Sequence, residues 1–164
     1  TIGTTSTQDN MFIRWSDQET VNTWTPSATN TAGSQRLTSG NKINAAVRSR
    51  GAVLIWTDTA LYQMQFIGAP FTFGFKQLGS NCGAVGINAA VDIGGISFWM
   101  GNDSFFRFDG AVKKIPCSVQ DYVFDDINNI NFIAISLFLE EYMRYHIEGM
   151  SSVKSTSILH KVIS

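Results

Sequence analysis

The sequence predicts a mainly β protein, a partial β-propeller of two to three four-stranded antiparallel blades with a C-terminal helix, on three observations. From Met11 to Asn128, short runs rich in Val, Ile, Phe, Tyr and Trp alternate with Gly, Asn, Asp, Ser and Thr, the texture of strands joined by tight turns. Ile43-Asn44-Ala45-Ala46-Val47 returns letter for letter as Ile87-Asn88-Ala89-Ala90-Val91, 44 residues later. Each copy has room for four strands, the size of one propeller blade at about 40–45 residues.

The elements follow in chain order. Thr1 to Asn10 reads as a polar loop without an initiator Met, which suggests an excerpt from a longer chain. A partial copy over about 11–40 begins with Phe12-Ile13-Arg14-Trp15-Ser16-Asp17, similar to Leu54-Ile55-Trp56-Thr57-Asp58 about 41 residues on. The copy at 43–79 holds the strand at 43–47, the apolar strand around Leu54-Ile55, the polar turn Thr57-Asp58-Thr59 and the strand around Leu61-Tyr62. A fourth strand runs from Phe71 to Leu78, with apolar residues at 71, 73, 75 and 78. In the copy at 87–128, Gly51 falls on Gly95, Leu54-Ile55 on Phe98-Trp99, Asp58 on Asn102, and Leu61-Tyr62 on Phe105-Phe106. The three prolines, at 26, 70 and 116, sit where these runs meet loops, as suits residues that cannot donate to a ladder. Residues 1–128 thus read as one propeller-like fragment. A lone blade cannot bury both faces of its sheet, so neighbours are expected in the parent chain or in partner subunits.

Residues 129–164 differ. Ile130, Ile133, Ala134, Leu137, Phe138, Tyr142 and Tyr145 keep i, i+3, i+4 spacing, with Glu140, Glu141 and Arg144 largely opposite, which predicts an amphipathic helix over about 130–146 ended by Gly149. The alternative is an out-of-frame tail, because the 44-residue period would place another hairpin near 139–154.

Composition narrows the function classes. The 164 residues are 44% hydrophobic and 15% charged, with 12 Lys+Arg against 13 Asp+Glu, which excludes disorder. A formal charge of −1 leaves no strongly basic surface for tight nucleic-acid binding. No apolar run reaches the ~20 residues of a membrane-spanning helix. Cys82 and Cys117 lack partners at metal spacing and read as buried small side chains of a reducing compartment, a structural disulfide being the less favoured reading.

No catalytic, cofactor or metal site is predicted. Both histidines, His146 and His160, lie in the tail, so no Ser-His-Asp or Cys-His arrangement can be drawn in the repeat. Asp125-Asp126 and Glu140-Glu141 are adjacent pairs that read as solvated acids. Gly79 to Gly86 is Gly-rich but has no following P-loop Lys, and reads as the turn between blades. Ser16-Asp17 with Thr23-Trp24 is only superficially similar to the sialidase turn Ser-x-Asp-x-Gly-x-Thr-Trp: the spacing differs and the Gly is absent. No motif places Arg14, Arg36, Arg48, Arg50 or Arg107 as a clamp for a sugar carboxylate. Trp24 and Tyr62 could stack on a glycan, but at strand spacing they read as core.

The wording of the chain resembles a family of virion structural proteins of tailed bacteriophages. The likeness is carried by Ile13-Arg14-Trp15-Ser16-Asp17-Gln18-Glu19, Trp24-Thr25-Pro26, Ala32-Gly33-Ser34-Gln35-Arg36-Leu37 and Thr57 to Met64. It continues through Phe73-Gly74-Phe75, Trp99-Met100-Gly101, Phe106, Asp109-Gly110 and Asp121 to Asn128. The chain looks most similar to the tail hub or nozzle proteins of short-tailed phages, the packaged-DNA stabilisation type included. The resemblance implies a non-enzymatic part made in the host cytoplasm and built into the virion tail as a homo-oligomeric ring. It implies as partners other tail or portal-adaptor proteins and genomic DNA passing without sequence-specific binding. A receptor- or glycan-binding tail adhesin is the alternative.

Overall fold

The structure, a computed structural model, describes residues 8–118 together with Gln120 and Phe124. The helix expected at 130–146 lies outside these residues, as do the rest of 129–164, both acid pairs, His146 and His160. Among the described residues, ten strands form three antiparallel sheets. In the first, β1 (Phe12–Trp15) pairs with β2 (Gly33–Arg36). The second is the meander β3 (Ile43–Ser49), β4 (Ala52–Thr57), β5 (Ala60–Gly68) and β6 (Thr72–Ser80). The third is the meander β7 (Ala90–Ile93), β8 (Ile96–Met100), β9 (Phe105–Phe108) and β10 (Val112–Ile115). The mainly β class and the four strands in each of the two complete copies are therefore as the sequence predicts.

The second sheet lies between the other two, which is why β4 reads as an unbroken apolar run rather than an alternating one. One face of this sheet presents Ala45, Leu54, Trp56 and Leu61 to Ala89, Trp99 and Phe106 of the third-sheet side. The opposite face presents Ile55, Ala60 and Tyr62 to Met11, Leu37 and Ile13 around the first sheet. Trp56 and Trp99 are fully buried with ring centroids 5.4 Å apart, and Trp99 stacks on Phe106 at 5.5 Å. Aromatic pairs at this separation add about 0.5–1.5 kcal/mol beyond their buried area.

The 44-residue period is preserved in packing roles as well as letters. Ile55 stands opposite Tyr62 across β4 and β5, and their counterparts Trp99 and Phe106 stand opposite each other across β8 and β9. Likewise the pair Trp56 and Leu61 becomes Met100 and Phe105. The first pair of each copy faces the preceding sheet, and the second faces away from it. Phe98, Met100 and Phe105 are all buried, with Phe124 packed against Phe105 at 5.4 Å.

The upstream copy, expected to be partial, contributes two strands: residues 16–32 form a long loop in which Asp17 accepts hydrogen bonds from the Thr31 N–H and hydroxyl, and the Asp17 N–H bonds to the Thr23 carbonyl. One expectation is corrected. Ile87-Asn88-Ala89 is not strand, although its twin Ile43-Asn44-Ala45 is. Those three residues finish the crossing from β6 to β7, where the Ala89 N–H bonds to Gly86 O and Met100 N–H to Ala89 O. Identical letters thus serve a strand in one copy and a connection in the other, because tertiary hydrogen bonding outweighs local preference.

Candidate functional site

The stretch 79–86, expected to be the turn between blades, is the seam that joins the second and third sheets. Its backbone borrows partners from both: Cys82 N–H bonds to Thr59 O, Ala84 N–H to Thr57 O, and Val85 N–H to Met100 O. Trp99 Nε1 donates to Cys82 O at 2.8 Å in the buried core, and Asn44 Nδ2 donates to Ala84 O at 2.6 Å. Cys82 is buried and Cys117 partly so; both are free thiols, and burial pushes the Cys82 thiol up from its ordinary value. A high thiol pKa disfavours the thiolate a nucleophile needs.

Beside this seam opens a cleft of about 240 Å³, lined by Asp58, Thr59, Asn81, Asn102, Asp103 and Phe106 among others. Its acids are already engaged. Asp58 accepts from the Asn41 N–H at 2.8 Å and the Asn41 amide at 3.0 Å, so it fastens the β2–β3 loop. Burial pushes its carboxyl up, but these bonds outweigh that and hold it below the ordinary value. Asp17 does the same for the 16–32 loop, held low first by the Thr31 N–H. The shared Trp-Ser/Thr-Asp turn is therefore a loop-fastening device. Asp103 is paired with Lys114 at 3.2 Å.

At the opposite end of the sheets, a second cleft of about 320 Å³ opens near Arg50, Leu54, Lys76, Leu78 and Phe108. Here Asp92 links the two sheets. It accepts from Ser97 Oγ at 2.7 Å and Gly95 N–H at 3.0 Å, while Ser49 and the Arg50 charge reach it from the second sheet. Arg50 adopts φ 43 and Gly51 φ 80 in the β3–β4 turn, matched by Gly94 at φ 61 and Gly95 at φ 82 in β7–β8. A Cβ at Gly95 would fall on the Arg50 side chain, so Gly95 makes room for the reach of Arg50 between sheets.

Burial raises the Asp92 carboxyl, yet the donors and Arg50 hold it net below the ordinary 3.8. A depressed folded value means that its stabilisation is fully present above 3.8 and fades as pH falls below it. Asp92→Asn is expected to cost about 1–2 kcal/mol at neutral pH. Urea titrations of both proteins at a series of pH values should show that difference shrinking as pH drops through the carboxylate range. An unchanged difference at the lowest pH would assign the loss to shape rather than charge.

The arginines considered as a sugar clamp are not brought together. Arg14 donates to Trp24 O, Arg36 pairs with Asp9 at 2.8 Å, and Arg107 with Asp109 at 3.4 Å, while Arg48 lies on β3 and Arg50 in the β3–β4 turn. Tyr62 is core, its hydroxyl within hydrogen-bonding distance of the Thr38 hydroxyl and Gln77 and accepting from the Ser39 N–H. Trp24 is 44% exposed. Among the described residues no group of three His, Cys, Asp or Glu could hold a metal, and no helix is long and apolar enough to cross a membrane.

Phe66, Ile67 and Phe71 are 64%, 55% and 73% exposed at the tip of the β5–β6 hairpin. The signal was present in Phe66-Ile67-Gly68-Ala69-Pro70-Phe71, a turn with no polar side chain. No protein-family model matches the chain, and no curated protein matches it.

Proposed function

We propose that the second and third sheets are consecutive blades of a β-propeller, and that the protein is a structural component of a bacteriophage tail. In this reading it belongs to a hub, nozzle or head–tail closure ring that retains and guides DNA. The observation that carries the blade assignment is the repetition of packing roles at the 44-residue period: Ile55 and Tyr62 face backward as Trp99 and Phe106 do, and Trp56 and Leu61 have the roles of Met100 and Phe105. A unit that repeats both its letters and its faces extends by adding copies of itself. The crossing at 81–89, from the last strand of one sheet to the first of the next, and the approach of β3 to β7 suit blades set around an axis.

The tail assignment rests on the ordered words of the sequence, from Ile13-Arg14-Trp15-Ser16-Asp17 to Asp121 through Asn128. Near-neutral charge supports it: a channel wall poor in Lys and Arg lets DNA slide, whereas a basic one would hold phosphates. Partners in this reading are further copies of the protein and other tail or portal-adaptor proteins, and the role is non-enzymatic. Mass spectrometry of purified virions together with negative-stain images of the full-length protein tests it. The expected result is a stoichiometric virion component that forms rings; absence from virions, with monomers only, overturns it.

The half-exposed Trp24 favours a second reading, a glycan-binding tail adhesin. A glycan array distinguishes the two: an adhesin binds a defined sugar, and Trp24→Ala abolishes that binding.

A further inference from the structure

The six large hydrophobic side chains that stand exposed among the described residues are not scattered. Val21, Trp24, Phe66, Ile67 and Phe71 belong to two loops, 16–32 and the β5–β6 tip; only Ile87 lies elsewhere, in the crossing at the other end of the sheets. The two loops touch. Thr72 Oγ1 donates to Thr31 O at 3.3 Å, and Trp15, at the root of the first loop, packs edge-on to Phe73 at 5.3 Å. Phe73 in turn meets Phe66 at 5.8 Å. An aromatic row therefore runs out of the core to the tip.

This tip projects. β4 begins at Ala52, opposite Gln65, whereas β5 and β6 stay paired as far as Gly68 and Thr72. Three further residues on β5 carry the hairpin about 10 Å past the end of β4 at ~3.3 Å per residue. No charged residue occurs from 59 to 75, or from 20 to 35. The polar groups at the tip are also partly self-satisfied: Trp24 Nε1 donates to Val21 O at 2.6 Å, Phe73 N–H to Phe71 O at 2.6 Å, and Pro70 has no N–H to satisfy. Such internal pairing lowers the cost of leaving water. Cations stand behind the apolar end: Lys76, opposite Gln63, is exposed, as is Arg48 near the end of β3. Glu19 is the exposed acid of the first loop.

We propose that this end of the molecule inserts into the interfacial layer of a lipid bilayer, with the β5–β6 tip as the wedge and Lys76 and Arg48 meeting anionic headgroups. A charge-free projection suits a fluid apolar medium, and its ~10 Å reach beyond β4 matches the 5–10 Å depth of interfacial insertion. Basic side chains set back from it add electrostatic attraction to anionic lipid. The inference stands on the geometry of these loops and is independent of the tail assignment.

The test is flotation of the full 164-residue chain with vesicles of mixed phosphatidylcholine and phosphatidylglycerol, and with phosphatidylcholine alone. The protein should float with both and more strongly with the anionic vesicles. Phe66→Ser and Phe71→Ser should each lower partitioning about ten-fold or more. Ile87→Ser, at the other end, should leave it unchanged, and circular dichroism checks that each variant keeps its sheets. Failure of the wild-type protein to float overturns the proposal, as does an equal loss in Ile87→Ser. So does sedimentation showing a self-associated species that Phe66→Ser dissociates, since a second copy would then be the occupant.

Discussion

Trp99→Ala should remove about 3–5 kcal/mol of stability, the range for deleting a buried aromatic. That is a large share of the 5–15 kcal/mol typical of a folded domain. The indole is fully buried between Trp56 and Phe106, and its N–H is the donor to Cys82 O, so truncation opens a cavity and strips a partner from the seam at once. The change would separate the second sheet from the third while leaving each meander its own ladder. Urea unfolding followed by far-ultraviolet circular dichroism measures the loss; a cost below about 1 kcal/mol would show that the two sheets do not depend on this contact. The neighbouring tryptophan gives a control. Trp56 is equally buried, but its Nε1 has no hydrogen-bond partner. Trp56→Phe discards an N–H already unpaired, whereas Trp99→Phe orphans the Cys82 carbonyl as well as shrinking the ring. Trp99→Phe should therefore be the costlier of the two by about 1–2 kcal/mol.

These tryptophans also show what was legible in the sequence. At the 44-residue offset Trp56 aligns with Met100 and Trp99 with Ile55, so the letters alone give no reason to pair the two rings. Alternation along a strand fixes which residues share a face; which face meets which neighbour depends on how the sheets stack. Strands were readable because β-branched and aromatic runs end at Gly, Asn and Asp. In the partial upstream copy the Trp15-Ser16-Asp17 turn is legible, but the 17-residue loop it leads into, 16–32, is held by contacts of Asp17 with Thr31 that no local pattern records. The candidate surface was less legible still. Phe66, Ile67 and Phe71 look like strand core until the register shows that β4 stops short of them. Asp92 as a link between sheets depends on Arg50 and Ser49, more than 40 positions earlier in the chain, and no local pattern records such a contact.

Gly83→Ala is expected to be at least as damaging as the loss of Trp99, for the opposite reason. A Cβ at residue 83 would sit on the Asp58 carbonyl and the Thr59 nitrogen, far inside the closest approach of real side chains. Both obstacles are backbone, so no rotamer change relieves the clash. The seam cannot shift outward either, because Cys82 N–H is bonded to Thr59 O and Ala84 N–H to Thr57 O on either side of it. Accommodating the methyl means giving up those bonds, along with the fit of Trp99 against Cys82 O. A cost of about 3–5 kcal/mol follows from overpacking combined with lost buried hydrogen bonds. Gly94→Ala is the matched comparison: φ is +61 there and nothing lies within 4 Å of a new Cβ, so only left-handed strain remains, about 1 kcal/mol. Denaturant midpoints of the two variants should differ accordingly. Near-ultraviolet circular dichroism of Gly83→Ala should also lose the signal of the Trp56–Trp99 pair before the far-ultraviolet strand signal changes, because the substitution acts between the sheets rather than within either. Equal midpoints for Gly83→Ala and Gly94→Ala would mean that the crossing segment bears no load. The blade reading would then lose its physical basis, since consecutive blades need a connection that fixes one sheet against the next.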